Sequence, residues 1–148
     1  MHFTCTPFSE LTTEELYTIL QVRAKVFVVE QHCNYLDCDN LDKIAFHLCG
    51  FQDDKLVAYC RLLPKGGPYV NYCSIGRVLT TAEARSLGFG KILMEKAIRY
   101  CKQIFDENIK IGAQAYLEKF YTELGFVSTD HKYLEDEIPH ISMLLLWK

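Results

Sequence analysis

The chain has 148 residues, 49% of them hydrophobic and 24% charged, and a formal net charge of −3 at pH 7. Those figures describe an ordinary globular protein, read as a single domain over residues 1–148 and able to bury a core of its own. They argue against a surface built to coat nucleic acid, and no apolar run approaches the roughly 20 residues that a membrane-spanning helix needs.

The opening run, MHFTCTPFSEL, lacks the basic-then-apolar order of a secretion signal. Within it, HFTCTPF alternates as a first strand ended by Pro7. In LTTEELYTILQVRAKVFVVEQ, Thr12 and Glu15 form a capping box, and Leu16, Ile19, Leu20 and Arg23 follow at helical spacing. β-branched residues accumulate in VFVVEQ and predict the helix end there. His32 to Asp42 is polar and turn-rich, which predicts a loop. IAFHLCGF and KLVAYCRLLP, joined by Gln52-Asp53-Asp54, predict a hairpin. KGGP is a second loop, and YVNYCSIGRVLT, Tyr69 to Thr80, reads as one long strand.

Ile92, Leu93, Ala97, Ile98, Cys101 and Ile104 then make an apolar stripe of helical period, with Lys91, Glu95, Arg99 and Lys102 opposite. IKIGAQ is a further strand, YLEKFYTELGF a short helix stopped by Gly125 as a left-handed cap, and HISMLLLW a closing strand. Strand, helix, three strands, helix, strand, helix, strands is an α/β order, and it implies a mixed sheet with helices on its faces.

Seven cysteines (Cys5, Cys33, Cys38, Cys49, Cys60, Cys73 and Cys101) are scattered without a CxxC pair. That pattern suits a reducing cytoplasm better than a disulfide framework. His32, Cys33, Cys38, His47 and Cys49 fall in one stretch, but only Cys33 and Cys38 approach the tight ligand spacing of a structural zinc site, so no metal is expected.

Between the long strand and the amphipathic helix lies EARSLGFGKIL. Each glycine in a helical turn costs roughly 1 kcal/mol relative to alanine, so Gly88 and Gly90 ask for a reason. A Walker A loop needs four residues between its glycines and a GK[ST] ending, and a dinucleotide fingerprint needs a small residue where Leu93 stands; both fail. What remains is R-x-x-G-x-G opening a helix. Free backbone N–H groups and the positive end of the helix dipole there would suit a phosphate, with Arg85 and Lys91 adding charge. A merely loosened turn with no ligand is the other reading, and the motif alone leaves both open.

R-x-x-G-x-G after a strand, followed by helix, strand and FYTELGF, resembles the GNAT family of acyl-CoA-dependent N-acyltransferases over nearly the whole chain. VFVVEQHCNY, SIGRVL, AQAYLEKFY and IPHISM, in that order, are similar to its ElaA-like branch. The resemblance implies a splayed mixed sheet with acyl-CoA, acetyl-CoA first among donors, entering where the strand ending near Thr80 parts from IKIGAQ. It implies that the backbone of Val78, Leu79 and Thr80 pairs with the pantetheine arm, and that Arg85, Ser86, Leu87, Gly88, Phe89, Gly90 and Lys91 wrap the diphosphate. Gln114 stands where many members carry asparagine. Tyr121, four residues before Gly125, matches the tyrosine that many members use to protonate the departing thiolate. Many members also form homodimers through edge strands.

Direct transfer from thioester to amine needs a neutral amine, a stabilised oxyanion and a proton for the leaving sulfur. A backbone N–H near Leu79 could serve the oxyanion. NYCSIGRV carries no carboxylate, although some relatives place a glutamate on that strand, so His140, His47 and Glu30 are the candidate bases. Arg23 and Arg77 are expected to pair with local acids. Glu30, Asp37, Asp39, Asp42, Glu135, Asp136 and Glu137 fall in predicted loops, where they either attract a cationic amine, free or on a peptide, or are simply solvated. Two functions follow: an N-acetyltransferase, or a module that binds acyl-CoA without turning it over.

Overall fold

The computed structural model describes residues 1–148. Strand β1 is His2–Pro7 and helix α1 is Thr13–Arg23. The capping box forms as the sequence predicts: Glu15 N–H donates to Thr12 Oγ1 at 3.0 Å and Thr12 N–H to Glu15 Oε1 at 2.8 Å. Beyond Arg23 the helix widens into π turns over Ala24–Glu30, where Val26, Val28 and Val29 crowd a regular helix, and it ends there. Strands β2 (Phe46–Gln52) and β3 (Lys55–Leu63) form the hairpin, turned at Asp53 and Asp54 with φ of 53° and 62°.

β4 spans Ser74–Thr80 only, shorter than the run from Tyr69 predicts. Leu63 pairs with Ser74 as the last rung against β3; Pro64 follows, without an N–H, and the chain turns at Gly66. α2 is Phe89–Ile104, β5 Ile109–Gln114, α3 Glu118–Glu123, β6 Val127–Glu135 and β7 Ile138–Leu145. Gly125 has φ of 106°, as a left-handed helix stop requires. No apolar alternation marks β6, because it is an edge strand exposed along most of its length and bulged between Ser128 and Lys132.

The strands form two antiparallel units, β1-β2-β3-β4 and β5-β7-β6. A single parallel bridge, Cys73 with Ile109, joins them. It is closed by Cys73 N–H on the Asn108 carbonyl at 3.1 Å and Lys110 N–H on the Cys73 carbonyl at 3.0 Å. From that hinge β4 and β5 part, which gives the splay.

β3 is buried on both faces and divides the core. Ala58, Cys60 and Leu62 pack with Leu93, Met94, Ala97 and Cys101 of α2 and with Tyr121 and Phe126. Leu56 and Tyr59 point the other way, onto Ile19 and Val26. Helices thus cover both faces of an α/β architecture. In α2 the buried stripe centres on Leu93, Met94, Ala97 and Cys101, while Ile92 and Ile104 of the predicted stripe stand at its exposed margin. No helix is long and apolar enough to cross a membrane.

Candidate active site

A cleft of about 730 Å³ opens where β4 and β5 part. Its β4 wall is shaped by a bulge. Arg61 pairs with Gly76 and Tyr59 with Leu79, so three steps on β4 face two on β3, and Arg77 takes the extra place with φ of 52°. A left-handed arginine is strained. Its guanidinium is anchored in compensation: Nε donates to Asp37 Oδ1 at 2.7 Å, Nη2 to the Asp37 carbonyl at 3.0 Å, and the group lies 5.6 Å over the Tyr35 ring.

Asp37 belongs to a larger network. Arg23, fully buried, donates to Asp37 Oδ2 at 2.9 Å and Asp42 Oδ1 at 2.6 Å; Arg61 donates to Asp42 Oδ1 at 2.9 Å and to both Asp39 oxygens at 2.6 and 2.8 Å. Three arginines meet three aspartates, and the charges cancel. Burial alone would raise the Asp39 carboxyl, but the Arg61 bond and charge outweigh it and hold the group at about 2. Asp42 is lowered in the same way, burial being outweighed by Arg23 and Arg61. Arg23 and Arg77 therefore pair with local acids as expected. Asp37, Asp39 and Asp42, read as loop acids that could draw an amine, are instead engaged in locking residues 31–45 against the sheet.

The glycine turn sits at the mouth of the cleft. Gly88 caps α2 with φ of 80° and no side chain caps that helix end, so its first N–H groups face outward. Gly90 has no such backbone demand; a Cβ there would lie 4.0 Å from Thr80 Cγ2 and Phe120 Cζ, ordinary contact. Val78, Leu79, Thr80, Arg85 and Gln114 line the cleft. Ser86, Leu87, Gly88, Phe89, Gly90 and Lys91 are not among its lining residues and continue outward from Thr80 and Arg85. Arg85 Nη2 is held on Glu30 Oε1 at 2.5 Å, which occupies the glutamate considered as a base.

Tyr121, on α3, also lines the cleft. Its ring is fixed edge-on between Phe120 at 5.1 Å and Phe126 at 5.9 Å. Burial pushes its hydroxyl well above the usual tyrosine range, so the group is a proton donor, not a phenolate, at neutral pH.

The two candidate histidines separate cleanly. His140, on β7 opposite Gln114, lines the cleft. Its Nδ1 lies 2.7 Å from the Ile138 carbonyl, which can only accept, so Nδ1 carries hydrogen. Nε2 is left facing Glu135 Oε2 at 3.3 Å. His47 stands away from the cleft, fully buried. Its Nε2 donates to the Asp42 carbonyl at 3.0 Å and its Nδ1 accepts from the Tyr59 hydroxyl at 2.8 Å. Both nitrogens are committed and burial lowers its pKa, which corrects the expectation that it could reach an acceptor.

Of the remaining acids, Glu135, which ends β6 and does not lie in a loop as expected, lines the cleft with Asp136 of the β6–β7 turn, and Glu137 does not. Cys33 is half-buried at the cleft, Cys38 exposed and Cys49 buried on β2, and no group of three or more metal-ligating side chains is gathered anywhere. Sequence reasoning missed Arg61, Tyr69 and Tyr133, all cleft-lining. A lone arginine inside the apolar run of KLVAYCRLLP was a signal for the first; the tyrosines carried none.

Residues 11–146 match the acetyltransferase (GNAT) domain family. Protein ElaA of Escherichia coli K12 is 41% identical over 138 residues, 91% of this chain and 90% of that protein. The crystal structure of an acyl-CoA N-acyltransferase from Pseudomonas aeruginosa superposes with a TM-score of 0.92 at 40% identity, covering 99% of this chain and 100% of that one. That of E. coli ElaA gives 0.91 at 38% over the same shares. Splayed sheet, glycine turn and cleft tyrosine thus occur together in a chain that belongs to the GNAT acetyltransferase family, in its ElaA-like branch.

Proposed function

We propose that the chain is an N-acyltransferase of the cytoplasm, a single catalytic domain that moves an acetyl or other short acyl group from acyl-CoA directly to an amine. One observation carries this reading: the parted edge of β4 opens into a cleft that has an uncapped glycine turn at its mouth and the Tyr121 hydroxyl inside. Gly90 supports it independently. Neither φ nor packing demands glycine there, whereas a diphosphate seated on the first amides of α2 would.

In this reading the unpaired backbone edge of Val78, Leu79 and Thr80 holds the pantetheine amides as an added strand would. Arg85 to Lys91 take the diphosphate, and Gln114 faces the arm from β5. His140 Nε2, with Nδ1 pinned, accepts the proton of the attacking amine, and Glu135 steadies the resulting imidazolium. A β4 backbone N–H near Leu79 stabilises the oxyanion. As the C–N bond forms and the C–S bond breaks, Tyr121 gives its proton to the sulfur.

Acetyl-CoA mixed with a panel of primary amines, with free thiol followed in time, tests the reading. Thiol release is expected with at least one amine. Tyr121→Phe should slow it by about 10²- to 10⁴-fold while CoA binding holds. The second reading, a non-catalytic acyl-CoA sensor, draws on the absence of any carboxylate along Ser74–Thr80. Tight acyl-CoA binding with no release for any amine, and none lost in Tyr121→Phe, would favour it.

A further inference from the structure

Gly112 on β5 lies under the side chain of Tyr133 on β6. A Cβ added to Gly112 would stand 2.1 Å from the Tyr133 hydroxyl oxygen and 3.9 Å from that of Tyr69. Gly112 has no positive φ, so the phenol, not the backbone, excludes a side chain there. The two hydroxyls converge near the closed end of the cleft, three residues along β5 from Ile109, where the sheets join. Both rings are held: Tyr133 stacks on His140 at 5.5 Å and on His131 at 5.3 Å, and Lys110 Nζ lies 4.9 Å over the Tyr69 ring.

We propose that Tyr133 and Tyr69 are the end wall of the acyl pocket, with the Tyr133 hydroxyl limiting the acyl group to about two or three carbons. This rests on the reading of the cleft as an acyl-CoA site. With the diphosphate at the mouth beside Thr80 and the arm along Val78–Thr80, the thioester points toward the end where β4 and β5 converge. Carbons beyond its carbonyl then run over Gly112, and Leu63, Ile75 and Ile111 give that end apolar sides. The wall meets any longer chain there.

Titration calorimetry with CoA, acetyl-CoA, butyryl-CoA and hexanoyl-CoA tests this without an acceptor. In the unaltered protein, affinity should fall from acetyl-CoA to hexanoyl-CoA. In Tyr133→Ala the order should reverse, with about fourfold gained per methylene admitted, and Tyr133→Phe, which removes one atom from the wall, should bring butyryl-CoA level with or above acetyl-CoA while hexanoyl-CoA stays weakest. Free CoA, having no acyl group to meet the wall, is the internal reference. Unchanged chain-length order in Tyr133→Phe and in either Tyr133→Ala or Tyr69→Ala, with CoA still bound, would overturn the wall and leave the acyl-CoA site standing. No binding of free CoA to the unaltered protein would overturn both.

Discussion

Arg77 and Asp37, 40 residues apart, are joined twice, Nε to Oδ1 at 2.7 Å and Nη2 to the carbonyl at 3.0 Å. The first of those residues is the bulge of β4 and the second lies in the loop after the π turns, so one aspartate fastens the cleft wall to the loop that covers it. Arg23 uses the same carboxylate from the far side. Asp37→Ala would leave two guanidiniums short of a partner in a largely dry place. A loss of about 3 kcal/mol is expected, measurable as a lower urea midpoint.

Gly112 and Tyr133 make a second exacting pair. Gly112→Ala alone brings its methyl to 2.1 Å from the Tyr133 oxygen, and an overpacking cost of about 1–3 kcal/mol should follow. In a Tyr133→Phe background the nearest ring atom, Cζ, stands at 3.5 Å, ordinary contact, so most of that cost should vanish. A thermal-melting cycle of the two single variants and the double variant reads the coupling directly.

Gly90→Ala separates folding from binding. The methyl has room, with its nearest neighbours at 4.0 Å, and alanine is the better helix former, so the unliganded protein should gain about 0.5–1 kcal/mol. The same methyl stands over the first amides of α2. CoA affinity should drop about tenfold, the equivalent of one charge-assisted hydrogen bond. Stability up and affinity down is a combination that a merely loosened turn does not produce.

His47 predicts how stability depends on pH. Burial lowers its folded pKa, whereas the unfolded chain takes the proton near pH 6.5. Below that pH the unfolded state binds more protons than the folded one, so stability should decline as pH falls from 7 toward 5. Asp39 acts the same way further down: its contribution is present above about pH 3.9 and is lost as pH falls toward about 2. Urea midpoints measured against pH should show the upper decline, and His47→Gln should flatten it while leaving the lower one.

The elements that local patterns encode were legible. The capping box at Thr12, the turn at Asp53 and Asp54, the Gly125 stop and the face of α2 each depend on residues within a turn or two of one another. The glycine turn was legible for a related reason, because R-x-x-G-x-G before an amphipathic stripe is itself local, whereas Tyr121 was singled out by family resemblance. β6 escaped because an exposed edge strand has no buried face to leave a period in its sequence. The strand predicted from Tyr69 proved shorter because its ladder with β3 ends at Leu63 and Ser74, where Pro64 in the neighbouring strand run brings no N–H to extend it.

By itself the sequence determined the helices, the β2–β3 hairpin and where α1 begins, and that a glycine turn follows a strand, since those are matters of neighbouring side chains and backbone freedom. Only the tertiary structure decided that His140 faces the cleft while His47 is sealed beneath the sheet, that three aspartates are spent on three arginines, and that Tyr133 rests on Gly112. Tertiary packing brings those groups together across 12 to 40 residues, and no periodicity in a chain records which distant segment will lie beside it.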